Sequence, residues 1–155
     1  MVLRLPLSVV LVLGSSLALA DGLGFGRPAP PADATRTVEI VLGEMYFEPA
    51  FVQVKAGETV RFVLRNEGHF RHEFSLDYSA RHRAQREAQL RSQAEETLAD
   101  HGQPAAPAGA NMVVVEPGQV GELTWTFYHP DWLQFACNIH GHYQSGMLGQ
   151  MEVMP

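Results

Sequence analysis

The sequence predicts an all-β fold, a Greek-key β-sandwich carrying one helical insertion. Three observations support this. Short runs of branched and aromatic residues recur between turn signals, no helical segments alternate with them, and one long stretch, residues 79–100, contains neither proline nor glycine.

Taken in order, the elements begin with an export signal. Leu5 to Leu19 form an apolar run behind a single basic residue, Arg4, and Ala18-Leu19-Ala20 supplies the small-x-small pattern of a cleavage site. The run is shorter than the roughly 20 apolar residues that cross a bilayer, so residues 1–20 are expected to be a signal peptide cut before Asp21. The mature chain is then expected in the periplasm, free of the membrane. Residues 21–36, with three glycines and three prolines, read as a flexible tether. Residues 37–155 are expected to form one domain. Val38 to Leu42, Phe51 to Val54 and Glu58 to Arg65 read as strands, with Ala56-Gly57 as the turn between the last two. Met112 to Glu116, Glu122 to Phe127, Leu133 to Ala136 and Leu148 to Val153 repeat the pattern, punctuated by Pro117-Gly118 and His129-Pro130. The segment 79–100 mixes arginines and glutamates with alanine and leucine and is predicted to be helical. Its apolar stripe, Ala84, Leu90, Ala94 and Leu98, is thin, so the insertion is expected to lie on the sandwich as a solvated excursion without a function of its own.

Charge narrows the partners. The formal net charge is −6, and loss of residues 1–20 removes one base and no acid, which leaves 10 basic against 17 acidic residues. With no basic patch to neutralise phosphates, nucleic acid is excluded as a partner. An exported chain meets an oxidising compartment, yet this one has a single cysteine and nothing within itself to pair it with. Cys137 is therefore an inert buried core residue, an oxidation hazard, or a ligand.

Its neighbours favour the ligand. Cys137-Asn138-Ile139-His140-Gly141-His142-Tyr143-Gln144-Ser145-Gly146-Met147 places thiolate, imidazole and thioether donors within eleven residues. Two imidazoles and a thiolate with a weak axial thioether make a mononuclear electron-transfer copper site, which cycles between Cu(I) and Cu(II). His72 is the candidate for the second imidazole. Between His140 and His142 the spacing decides, because Cys137-x4-His142-x4-Met147 is compact, whereas a ligating His140 would leave Met147 a long reach away. A structural zinc site is a poor fit, since methionine is a poor zinc donor.

At these residues the chain resembles the cupredoxins. Phe47-Glu48-Pro49, Val54-Lys55-Ala56-Gly57-Glu58-Thr59-Val60, His72-Glu73-Phe74, Glu116-Pro117-Gly118 and Gly141-His142-Tyr143 look like features of small periplasmic cupredoxin-like proteins, and most of all of the CopI type associated with copper tolerance. The resemblance implies a type 1 copper held by His72, Cys137, His142 and Met147. One departure stands out: plastocyanin-like and azurin-like proteins have an asparagine after the first histidine ligand, and here Glu73 takes that place.

In such a fold His69 and His140 would approach each other near the copper loop, which implies a second, more exposed copper site with Met45 or Glu44 contributing. His129 beside Pro130 reads as a solvated bystander. Three functions follow as expectations. The chain is a monomeric periplasmic copper protein of electron transfer and copper tolerance that docks a redox or copper-delivery partner. Alternatively, it oxidises Cu(I) through the second site, or it is a chaperone that gives its copper away.

Overall fold

Alternating apolar residues decide which face of each strand turns inward, and this packs two sheets face to face. The computed structural model describes residues 23–96 and 109–155. One five-stranded sheet has the order β1 (Gly26–Pro28), β8 (Val120–Phe127), β5 (Thr59–Asn66), β2 (Arg36–Gly43) and β3 (Tyr46–Glu48). The other has the order β4 (Phe51–Lys55), β10 (Leu148–Met154), β9 (Asp131–Ala136), β6 (His72–Asp77) and β7 (Met112–Val115). The pairs β2 with β5 and β4 with β10 are parallel and the remaining pairs antiparallel. In β4, Val52 and Val54 are buried while Phe51, Gln53 and Lys55 face solvent, which is the period-two pattern of a strand with one wet face.

The space between the sheets is filled largely by aromatic rings. Phe74 stacks on Phe135 at 5.3 Å between centroids, and Phe47 meets both edge-on. The core continues without a break into Cys137 and Met147, both fully buried. The expected sandwich is therefore present, with β1, β3 and β6 in addition to the strands read from the sequence. None of the helices among the described residues is long and apolar enough to cross a membrane. The expected signal peptide, residues 1–20, lies outside the described residues.

Two expectations need correction. Residues 21–36 are not a free tether over their described length. Leu23 bridges Gly26, β1 pairs with β8, and the Phe25 ring is buried against Trp125 at 5.4 Å. A single aromatic anchors this segment, and its prolines are tolerated because β1 is an edge strand that owes few ladder bonds.

The insertion is helical, as α1 (Ser79–Glu96), while residues 97–100 of the expected span lie outside the described residues. Its packed face is not the apolar stripe, for Ala84 and Leu90 are exposed. His82 is buried, and Gln85, Arg86 and Gln89 are half-buried, a polar stripe at helical spacing.

Candidate metal centre

Strand β6 and the loop after β9 meet at one end of the sandwich. His72 opens β6 and is held in register opposite Val115 of β7. Cys137 follows the last residue of β9, and its N–H donates to the Met147 carbonyl at 3.1 Å, closing the loop on itself. Within the loop the His142 N–H donates to the Ile139 carbonyl at 3.0 Å and the Met147 N–H to the His142 carbonyl at 3.0 Å. The residues just before His142 and Met147 are Gly141 and Gly146, with φ of 85° and 98°, a left-handed backbone that glycine adopts without steric cost. The turns that aim both side chains inward thus depend on those two glycines.

The donors converge. His72 Nδ1 lies 3.3 Å from His142 Nδ1, Cys137 Sγ lies 3.3 Å from His142 Nδ1, and all three lie within 4.8 Å of one another. Nitrogen and sulfur donors that share one metal ion stand roughly 3.5–4 Å apart, and the two contacts to His142 Nδ1, at 3.3 Å each, lie close to that range. Three groups that each present a lone pair to the others repel unless a cation or a proton sits between them, and the residues present fit a metal ion. Met147, fully buried beside Cys137 in the core, comes from the same loop.

Burial sets the protonation states. Desolvation lowers the His72 pKa, with the nearby His142 adding to it and Glu44 opposing, and desolvation alone lowers that of His142. Both imidazoles are therefore neutral at neutral pH, the form that ligates. The Cys137 thiol is pushed up to about 11, chiefly by burial, against the Glu73 and Ile139 backbone N–H groups that favour the thiolate. The Glu73 N–H donates to Cys137 Sγ at 3.3 Å. The glutamate after His72 thus supplies the backbone bond to sulfur, and its buried carboxyl accepts at 2.9 Å from the Asn138 amide. An asparagine does stand at this junction, next to the cysteine instead of next to the histidine.

The sequence-predicted donors fall into two groups. His72, Cys137 and His142 come together, and among the described residues theirs is the cluster of three or more potential metal-binding groups. His142 is half-buried as a residue, although the nitrogen it offers is enclosed. His140 is exposed, and the His69 side chain is 92% exposed with its Nδ1 3.7 Å from Glu44 Oε2, and neither belongs to that cluster. His82 was not singled out by the sequence reading, because one histidine in a charged helix gives no signal of burial.

Known proteins match this arrangement. A cupredoxin-like domain model matches residues 7–103, a span that contains His72 and stops before the Cys137 loop. The copper-resistant cuproprotein CopI of Pseudomonas aeruginosa is 44% identical, over 96% of this chain and 93% of its own length. That of Rubrivivax gelatinosus is 40% identical, over 83% of this chain and 73% of its own. Among solved structures, dithionite-reduced auracyanin of Roseiflexus castenholzii is similar in fold, with a TM-score of 0.60, 24% identity, and coverage of 79% of this chain and 99% of that one. With that coverage, and with the sandwich and its His-Cys-His cluster in place, the chain belongs to the cupredoxin-like family, to proteins of the CopI type.

Proposed function

We propose that this chain is an exported type 1 copper protein acting in copper resistance, with His72, Cys137, His142 and Met147 as its ligands. One observation carries the reading: two imidazole nitrogens and the only thiol converge within 4.8 Å at the end of a rigid sandwich. The names of the CopI relatives and the apolar leader at residues 5–19 support copper resistance and a periplasmic location.

When bound, copper supplies a one-electron Cu(I)/Cu(II) couple. The chain does the rest. β6 and the loop fix the donors before the ion arrives, and the Glu73 N–H bond to Cys137 Sγ tempers the charge on sulfur. Full burial of His72, Cys137 and Met147 excludes water and favours retention of the metal over hand-off, which weighs against a chaperone. His142 is the least buried of the four, so a redox partner comes within reach of the site on its side.

A second reading, oxidation of Cu(I) at a labile surface site, draws on Glu44. Its carboxylate pairs with exposed His69 and lies close enough to His72 to act on its charge. Complementation of a strain lacking the protein separates the two. The parent chain and His140→Ala should both restore growth on copper, and His142→Ala should not. Restoration by His142→Ala would contradict the first reading, and failure of His140→Ala alone would favour the second.

A further inference from the structure

The residue that follows each strong donor enters one polar network, and that network is organised by α1. Glu73 follows His72, Asn138 follows Cys137, and Tyr143 follows His142. The buried Asn138 amide donates to Glu73 Oε1 at 2.9 Å and to His82 Nδ1 at 3.1 Å. His82 Nε2 faces the Gln134 carbonyl at 3.2 Å. A carbonyl can only accept, so Nε2 carries the proton and Nδ1 is left to accept from Asn138. One imidazole thus bonds the chain on both sides of Cys137, three residues before it and one after. One turn along the helix, Arg86 Nη1 donates to Asn138 Oδ1 at 3.3 Å, and its guanidinium lies 3.4 Å over the Tyr143 ring. Tyr143 in turn donates to Gln134 Oε1 at 3.2 Å.

A solvated excursion would not place a fully buried histidine against the metal loop. Nor would it turn its polar stripe inward, since a buried polar group is costly unless its bonds are made. From this geometry we infer that α1 is a positioning element for the metal centre: His82 and Arg86 act as positioning residues that fix the orientation of the Cys137 and His142 side chains through Asn138 and Tyr143. The inference rests on the copper reading above and extends it to the insertion.

The test compares Cu(II)-loaded parent, His82→Leu, His82→Gln and Arg86→Ala by visible absorption, EPR and retention of copper against a competing chelator. His82→Leu removes both bonds of the imidazole, and His82→Gln keeps a donor and an acceptor. Arg86 is half-buried, so Arg86→Ala gives a result even if His82→Leu fails to fold. The expected result is a thiolate band and EPR signature displaced from the parent in His82→Leu and Arg86→Ala. Copper affinity should also fall by about ten- to a hundredfold, as for other groups that orient ligands from outside, and His82→Gln should return towards the parent. Folded variants indistinguishable from a parent that has the band would overturn the inference alone. A parent without the band would overturn the copper reading and the inference with it.

Discussion

At Cys137, burial and ligation pull in opposite directions. An apolar surrounding holds the metal-free thiol at a pKa of about 11, yet the metal binds the thiolate. Copper uptake near pH 7 must therefore expel the thiol proton, while the two imidazoles, already neutral through desolvation, give up none. Adding Cu(II) to metal-free protein in weak buffer should release about one proton per ion, and affinity should rise as pH rises. Uptake with no proton release would mean that the thiol is not the donor. Glu73 belongs to the same scale. A carboxylate in place of the usual asparagine looks like the loss of a loop-holding bond, but Asn138 supplies the amide from the other side and the cross-link at 2.9 Å is kept.

At the level of elements, the residue that leads into the N-terminal edge strand contributes to the core. Phe25 is fully buried against Trp125 and meets Tyr78 edge-on at 5.5 Å, so Phe25→Ala should cost about 3–5 kcal/mol, read as a lower urea midpoint. An unchanged midpoint would restore the tether. The seven strands read from the sequence were legible because their apolar residues alternate between turn signals. β1 was not, since one phenylalanine among glycines and prolines has no period. β6 was not, because His72, Glu73 and Ser75 are polar yet buried, so His-Glu-Phe-Ser-Leu-Asp lacks the usual contrast between a wet and a dry face. The convergence of Cys137 and His142 was legible, as Cys-x4-His is a local spacing on one loop, and the structure brings both to His72. The network behind it was not, since His82 meets Asn138 only after 56 residues of chain have folded.

For the whole molecule, the buried histidines link stability to pH. His72, His82 and His142 all have pKa values lowered by burial from an unfolded value of 6.5. Their contribution is intact above that value and is lost as pH falls below it, because the unfolded chain then binds protons that the native one refuses. Burial raises Glu73 and Asp77, which work the other way: as pH falls the native chain takes up their protons first, over windows that lie above their unfolded values of 4.5 and 3.8 and close there. The metal-free protein should therefore lose stability first as pH drops below about 6.5, seen in urea midpoints, and a flat profile there would mean the imidazoles are not desolvated. The fold, the loop glycines, the core that runs into Cys137 and Met147, and the helix against the loop all converge on one centre. The most direct test is the visible absorption spectrum of the Cu(II)-loaded protein beside that of Cys137→Ser. An intense thiolate-to-copper band in the parent that vanishes in the variant is the predicted result, and a parent with no such band, or a variant that keeps it, would contradict the account.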